Sequence, residues 1–180
     1  MTAGRKTNSG NKEWSTPKEI VDAVEQFFTQ LILSKWPIHL DPCSNDYSLV
    51  NAFTKYKLPQ DGLKESWNYP TIYVNPPYGR NPDNKTSIKN WLDKCSESSK
   101  LYSSEIIALI PVATNTRHWQ NNIFINANAI CFLKVPRLKF LLEGKVVEKG
   151  APMACAIVYW GKHINKFDNT FRSFGKIVKI

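Results

Sequence analysis

The sequence predicts an α/β fold with a mostly parallel sheet and antiparallel C-terminal strands. Three observations support this expectation. The 180-residue chain is 42% hydrophobic, as in a globular protein with a single core. Helical periodicity alternates with short apolar runs as far as residue 126, which is the pattern of an α/β sheet. Beyond that point strand-like runs follow one another, with a glycine turn between two of them.

The first half of the chain begins with a polar stretch over residues 1–12. It has no apolar core of the kind found in signal peptides, so we expect a disordered N-terminal arm followed by a single domain over 13–180. Residues 15–17, Ser-Thr-Pro, supply a hydroxyl cap and a first-turn proline. A helix over 17–33 should follow. Strands are predicted over 38–40, 51–58 and 71–74, with a turn at 61–63.

The second half starts with a polar loop over 80–86 and a predicted helix over 86–100. Residues 105–111 are apolar throughout after Glu105, as expected for a strand that is covered on both faces. The last twenty residues are basic and weakly periodic, and we expect an extended edge segment there. The remaining predictions are a short helix around 117–126, strands over 129–135, 138–142 and 152–160, and a turn at 143–145.

The most informative segment is the tetrad Asn-Pro-Pro-Tyr at residues 75–78, directly after the predicted strand 71–74. The end of a strand is where open α/β sheets place their ligands. The tetrad supplies an amide side chain, two fixed φ angles and an aromatic ring. Together these groups could hold a planar amine between acceptors while stacking on its ring. The alternative interpretation is a proline-rich turn with a packed tyrosine.

Five motifs in chain order resemble those of the phage-type DNA N6-adenine methyltransferases, whose catalytic motif reads (D/N/S)-P-P-(Y/F/W). The tetrad alone is shared with protein-glutamine and RNA methyltransferases, whereas the ordered set is more specific. The resemblance covers roughly residues 13–160. It comprises W-S-T-P at 14–17, L-D-P-C at 40–43, D-G-L at 61–63 with Trp67, N-P-P-Y at 75–78, and L-I-P at 109–111 with Thr114, Thr116 and Trp119.

This resemblance implies a Rossmann-like fold that uses S-adenosylmethionine, and an enzyme acting in the cytoplasm of a bacterium or phage-infected host. The reaction would be site-specific methylation of the N6 amine of an adenine flipped out of double-stranded DNA. Asn75 Oδ1 and the Pro76 carbonyl would hold the amine, Pro77 would stiffen the loop, and Tyr78 would stack on the base. The reaction would need no metal and no covalent enzyme intermediate.

The resemblance also assigns a set of cofactor-binding residues. Asp41 would receive the methionine amine and Asp61 the adenine amine of S-adenosylmethionine. Asp41 and Asp61 could instead be turn residues, Thr16 a helix cap and Trp14 a core anchor. The loop 41–45 departs from the family pattern because it lacks glycine, and Asp46 is a weak candidate for binding the ribose. The full cofactor set is Trp14, Thr16, Pro17, Asp41, Pro42, Cys43 and Asp61.

Charge also favours a polyanionic partner. Lysine and arginine total 24 against 15 acidic residues, a net charge of +9. For each basic residue, a solvated face is an equally good interpretation. No apolar run approaches the ~20 residues of a membrane span. The four cysteines and three histidines lack the spacing of a zinc site, so reduced thiols are expected. The candidate DNA-binding residues are Arg80, Arg117, Lys134, Arg137 and Lys139.

Two other functions remain open at this stage. One is a related methyltransferase that acts on RNA, on cytosine N4 or on protein glutamine. The other is a non-catalytic basic module that binds DNA. The intact tetrad argues against the second, and the lack of an N-terminal recognition domain argues against a protein substrate. The sequence does not decide the DNA recognition sequence or whether the protein is a monomer.

Overall fold

The computed structural model describes residues 14–79, 85–134, 136–148 and 150–180. The arm predicted over 1–12 and most of the loop predicted over 80–86 lie outside these residues. The elements in chain order are β1 (Trp14–Ser15), α1 (Lys18–Thr29), β2 (Ile38–Asp41), β3 (Ala52–Lys55), β4 (Thr71–Val74), α2 (Ile88–Tyr102), β5 (Glu105–Pro111), a π-helical turn (Trp119–Ile123), α3 (Phe124–Asn126), β6 (Ala129–Leu133), β7 (Leu141–Leu142), β8 (Lys145–Val146), β9 (Cys155–Trp160), α4 (Ile164–Phe171) and β10 (Gly175–Lys179).

Seven strands form one mixed sheet in the order β10-β6-β9-β5-β4-β2-β3. The pairs β3–β2, β2–β4 and β4–β5 are parallel, and the pairs β5–β9, β9–β6 and β6–β10 are antiparallel. The expected antiparallel C-terminal strands are therefore present. Because β6 is antiparallel to β9, it points the same way as β5. The C-terminal ends of β2, β3, β4, β5 and β6 therefore meet at one edge, which we call the carboxyl edge.

Apolar residues cover the sheet on both faces and form two cores. The first core lies under α1 and α4, where the Phe27 ring meets Tyr159 edge-on at 5.2 Å. Phe167 stacks on Tyr159 at 5.0 Å in the same core. The second core lies under α2 and the π-helical turn, where Trp119 stacks on Phe132 at 6.0 Å. The strands β4 and β5 are buried because both faces are covered.

The predicted elements compare unevenly with this structure. The strands predicted over 71–74 and 105–111 are confirmed to the residue. The first helix is shorter than predicted and ends at Thr29, and Leu33 is fully exposed. The edge segment predicted for the last twenty residues is wrong in part, because α4 precedes the edge strand β10. Only Phe167 and Phe171 of α4 are fully buried, so its apolar stripe is narrow.

A small second sheet, in the order β1-β7-β8, was not predicted as a unit. Strands β7 and β8 form a hairpin whose tip, Glu143-Gly144, has φ values of 50° and 76°. Positive φ at both central residues is the geometry of a tight hairpin turn, which confirms the turn predicted at 143–145. Strand β7 pairs with β1, so residues 14–15 lie beside a segment that is far away in sequence.

Candidate functional site

The sheet topology marks one point on the carboxyl edge as a ligand site. From β2 the chain continues to β3 on one side, and from β4 it continues to β5 on the other side. The direction of winding thus reverses between the neighbouring strands β2 and β4. In open α/β sheets, ligands bind in the crevice that forms at such a reversal, outside the carboxyl ends of the strands.

A shallow crevice that is open to solvent lies at this position. Five of the residues predicted from the sequence line it, which brings the W-S-T-P, L-D-P-C and N-P-P-Y motifs together. The other lining residues are small or polar, with one tyrosine. The predicted lining residues are Trp14, Thr16, Asp41, Cys43 and Asn75, and the residues that were not predicted are Ser15, Asn45, Ser48, Val50 and Tyr73.

Among the described residues, Asp41 is the only acid that lines the crevice, and its side chain is almost completely buried. Its carboxylate accepts hydrogen bonds from the Cys43 backbone N–H at 3.3 Å and from the Ser48 hydroxyl at 3.4 Å. Burial raises the Asp41 pKa to about 6, although neighbouring hydrogen-bond donors and the charge of Lys55 oppose this shift. No described cation forms an ion pair with it. A buried carboxylate without a counterion suits a cationic ligand.

Cys43 joins the loop after β2 to the loop after β4. Its sulfur lies against the backbone N–H of Asn75. Burial, and then the charge of Asp41, raise the Cys43 pKa well above its ordinary value. The side chain therefore stays a neutral thiol at physiological pH, and its contribution is to packing between the two loops.

The D-G-L segment packs directly on the loop after β2. A Cβ atom at Gly62 would lie 1.9 Å from the Pro42 carbonyl oxygen, so only glycine fits at this position. The Trp67 indole N–H donates to the Gly62 carbonyl at 2.8 Å and holds the segment in place. The loop 41–45 has no glycine of its own, and Gly62 provides the close backbone approach instead.

Asp61, in the same segment, is a turn residue in this structure. Its Oδ1 accepts a hydrogen bond from the Leu63 backbone N–H at 3.1 Å, and its Oδ2 lies 4.0 Å from Lys64 Nζ. Asp61 does not line the crevice, and neither does Pro42. Asp46, the weak candidate for the ribose, is exposed and forms an ion pair with Lys57 at 2.8 Å.

In the described part of the chain, the side-chain amide of Asn75 is hydrogen-bonded through its nitrogen but not through its oxygen. Its Nδ2 donates to the Trp14 backbone carbonyl at 3.5 Å, whereas no described residue donates to its Oδ1. Pro76 is buried and Pro77 is exposed, so the loop is anchored on one side and open on the other. The structure therefore leaves the amide oxygen of Asn75 available as an acceptor beside the crevice.

Tyr78 folds back onto the sheet. Its hydroxyl donates to the Leu109 carbonyl at 3.2 Å, and its ring meets the Phe140 ring edge-on at 6.0 Å. Burial raises the Tyr78 pKa well above its ordinary value, so the hydroxyl remains a donor. The ring is partly exposed, next to the carboxyl edge. Stacking of Tyr78 on a base remains a prediction.

The hairpin β7–β8 closes one side of the site. Phe140, which precedes β7, also meets the Trp14 ring edge-on at 6.4 Å. Trp14 is 39% exposed and lines the crevice, so it is not the core anchor considered as its alternative role. Nothing local in the sequence marks Phe140, because both of its aromatic partners are more than sixty residues away.

The start of α1 differs from the predicted capping arrangement. Pro17 is the residue that precedes the helix, and no side chain caps it. The Pro17 carbonyl instead accepts hydrogen bonds from the Ile20 and Val21 backbone N–H groups. The Thr16 hydroxyl bonds to the Tyr73 hydroxyl at 2.8 Å, so the helix-cap role considered for Thr16 is wrong. Strand alternation places Tyr73 on the same side as Asn75, and this signal could have identified Tyr73.

The described candidate DNA-binding residues all lie in connections that leave the carboxyl edge. Arg117 and Lys134 are exposed, and their side chains form no hydrogen bond or ion pair with a described residue. Arg137 Nη1 donates to the Pro152 carbonyl at 2.7 Å, and Lys139 pairs with Glu148 at 3.1 Å. Arg80 lies outside the described residues. Exposed Lys176 of β10, which the sequence did not single out, pairs in register with Phe132 near Lys134.

The segment that carries Arg117 is attached firmly to the second core. The Trp119 indole N–H donates to the Pro111 carbonyl at 3.2 Å. Asn122 is buried, and its amide bonds to Ser96 and Asp93 of α2 at 2.8 Å and 2.9 Å. π-helical turns are often found at functional sites. Arg117 is thereby held near the carboxyl edge by rigid packing.

No group of three or more His, Cys, Asp or Glu side chains in the described parts of the chain could hold a metal ion. Within the same residues, no helix has the length and apolar character needed to cross a membrane.

Comparison with known protein families identifies the family of this chain. The model of the DNA N-6-adenine-methyltransferase (Dam) family matches residues 4–176, which is nearly the whole chain. No curated protein and no solved structure matches the sequence.

Proposed function

Because this chain belongs to the DNA N-6-adenine-methyltransferase (Dam) family, we propose that it methylates the N6 amine of an adenine flipped out of double-stranded DNA, at a specific recognition site. The methyl donor is S-adenosylmethionine, bound in the crevice at the carboxyl edge. Residues 13–180 act as one domain with a Rossmann-like methyltransferase fold. The reversal of winding between β2 and β4 supports this assignment, because the crevice lies at that point.

The observation that carries the proposal is the orientation of the Asn75 amide. Its Nδ2 is engaged by the Trp14 carbonyl, and its Oδ1 is left free at the crevice. An adenine amine is a weak nucleophile because its lone pair is delocalised into the ring. Asn75 Oδ1 and the Pro76 carbonyl accept hydrogen bonds from the two N–H groups of the adenine amine. These bonds favour a tetrahedral geometry at the nitrogen. The prolines keep both acceptors fixed, which is electrostatic preorganisation.

The residues of the crevice fit the proposed methyl donor. The buried Asp41 carboxylate, which has no described counterion, receives the ammonium group of the methionine part. Gly62 allows the D-G-L segment to approach the loop 41–45, and this contact shapes the cofactor side of the crevice. S-adenosylmethionine supplies an activated methyl group when it is bound. Trp14, Thr16 and Cys43 line the crevice and complete the surroundings of the cofactor in this proposal, and Pro17, Pro42 and Asp61 belong to the segments next to them.

The carboxyl edge also supplies a surface for the DNA backbone. Arg117, Lys134 and Lys176 project from it without an acidic partner among the described residues, and Arg137 and Lys139 lie on the segment around the β7–β8 hairpin. Phosphate contacts of this kind position the duplex and hold it while the adenine leaves the stack. Tyr78 stacks on the extruded base, and Arg80 follows the tetrad in the chain.

The test is incubation with S-adenosylmethionine labelled in its methyl group and with separate pools of DNA, RNA and protein. Nucleoside analysis should recover label in N6-methyladenine from DNA. Label in RNA, in N4-methylcytosine or in protein glutamine would instead support one of the related activities. The matched variant is Asn75→Ala, which should lose transfer while it keeps the circular dichroism spectrum and melting temperature of the parent. Transfer at the parental rate by this variant would refute the role of Asn75.

A further inference from the structure

Two buried hydroxyl groups meet at the floor of the crevice. Tyr73 is 1% exposed and Thr16 is 3% exposed, and their hydroxyl oxygens are 2.8 Å apart. Both residues line the crevice together with Asp41 and Asn75. Tyr73 is the third residue of β4, two positions before Asn75, and it carries no role in the function proposed above.

This pair has one hydrogen more than its internal bond uses. Each hydroxyl can donate one hydrogen and accept others, and the contact between them uses only one of the two hydrogens. Among the described residues, neither hydroxyl has a second partner. A buried donor hydrogen without an acceptor is costly, so the spare hydrogen is expected to meet an acceptor that enters the crevice, either water or a ligand.

The position of the pair indicates which ligand group it meets. Asp41 lies on the same crevice and suits an ammonium group, as argued above. An α-amino acid carries its ammonium and carboxylate on one carbon atom, so a donor near Asp41 lies within reach of the carboxylate. We propose that the Tyr73–Thr16 hydroxyl pair donates a hydrogen bond to the carboxylate of the methionine part of the cofactor. Tyr73 is thus a binding residue for that end of the ligand, and this inference rests on the proposed function.

The protonation of Tyr73 agrees with this role. Burial raises its pKa far above the ordinary value, and the nearby Asp41 adds to the rise. The phenol therefore keeps its hydrogen throughout the physiological pH range. The donor is permanent, whereas a lysine at this depth would lose part of its charge through desolvation.

The experiment compares two ligands that differ in one group. S-adenosylmethionine carries the carboxylate, and decarboxylated S-adenosylmethionine keeps the amine but lacks the carboxylate. Calorimetric titration of Tyr73→Phe should show affinity for S-adenosylmethionine lowered by about ten-fold or more, as expected for a hydrogen bond to a charged group. Its affinity for the decarboxylated ligand should equal that of the parent protein.

Three further variants separate binding from structure. Tyr159→Phe removes a buried tyrosine hydroxyl from the same core, where it bonds to Glu105 away from the crevice, and should bind both ligands like the parent. Asp41→Asn should lower the affinity for both ligands, since both carry the ammonium group. Thr16→Val combined with Tyr73→Phe should lower the affinity for S-adenosylmethionine little more than either change alone. The reason is that the two hydroxyls act as one donor unit.

The outcomes distinguish this inference from the proposed function. If Tyr73→Phe lowers the affinity for both ligands equally, or for neither, the proposed contact with the carboxylate is refuted while the proposed function stands. If the parent protein binds neither ligand, the proposed function and this inference fail together. A loss confined to S-adenosylmethionine supports both.

Discussion

Asp41 and Lys55 occupy paired positions at the carboxyl ends of the neighbouring parallel strands β2 and β3. The lysine charge favours the ionised carboxylate, yet burial outweighs it and raises the Asp41 pKa to about 6. The structure thus keeps a carboxylate at the crevice whose charge changes within the physiological range. Two consequences of that pKa can be measured.

Affinity for S-adenosylmethionine should rise with pH. The ionised form of Asp41 attracts the ligand ammonium group, and the neutral form does not. Binding should therefore weaken as pH falls below about 6, by up to ten-fold for each pH unit. Calorimetric titrations at several values between about pH 5 and pH 8 cover the ionisation of Asp41 and measure this dependence. Asp46→Asn is the control, because Asp46 is exposed and paired with Lys57, and it should leave the profile unchanged.

The difference in unfolding free energy between Asp41→Asn and the parent protein should depend on pH because of the same raised pKa. The folded-state pKa is raised above the ordinary 3.8, so the folded protein binds the proton more tightly than the unfolded chain does. The resulting destabilisation is absent below pH 3.8 and complete above about pH 6, where it reaches roughly 3 kcal/mol. Asparagine removes this cost, so the variant should gain stability relative to the parent as pH rises through this window. Urea titrations at both ends of the window would show a constant difference if Asp41 is not desolvated.

Gly62→Ala should destabilise the protein and weaken cofactor binding. The added methyl group would lie 1.9 Å from the Pro42 carbonyl oxygen, so the backbone of one of the two segments has to move. Overpacking of this kind typically costs about 1–3 kcal/mol or more. Thermal unfolding measures the loss. Gly79→Ala is the matched control, because nothing lies within 4 Å of its added Cβ atom, and its melting temperature should stay near that of the parent.

Tyr78→Phe and Tyr78→Ala should differ clearly in activity. Phenylalanine keeps the ring and loses only the hydrogen bond to the Leu109 carbonyl, worth about 1 kcal/mol of stability. Alanine also removes the surface on which the base stacks, worth about 1–3 kcal/mol. Single-turnover methylation rates and DNA affinity measure both effects. Tyr102→Ala, at the end of α2, should be neutral for activity. Equal rates for Tyr78→Ala and the parent protein would remove the stacking role.

Lys134→Ala should lower the affinity for DNA by a similar factor whatever the DNA sequence is. Lys134 is exposed at the carboxyl edge and has no described acidic partner, so it is free to contact a phosphate. Loss of one phosphate contact lowers the slope of log affinity against log salt concentration by about one. Fluorescence titration at several salt concentrations gives this slope. Lys162→Ala is the control at the opposite edge of the sheet, where β9 ends, and an equal effect of both variants would indicate a diffuse charge effect.

Local patterns predicted much of the sheet. The apolar runs over 71–74 and 105–111 are strands because both faces of each are covered, and their polar residues Thr71 and Glu105 stand at the starts of the runs. The narrow apolar stripe of α4 was missed, since Phe167 and Phe171 stand among polar residues. The direction in which the Thr16 hydroxyl bonds was also missed, because its partner Tyr73 is 57 residues away.

The candidate site shows the same division. The sequence by itself determined the chemistry at the carboxyl edge, since the residue types of the tetrad and of the loop after β2 are set by their place at strand ends. It also determined the membership of the chain in its family, through motifs that occur in order. Only the tertiary structure decided that Phe140 packs against both Trp14 and Tyr78, that Gly62 lies against Pro42, and that Asp41 is desolvated. Burial and contact depend on which distant segments pack together, and no local pattern of residues records that.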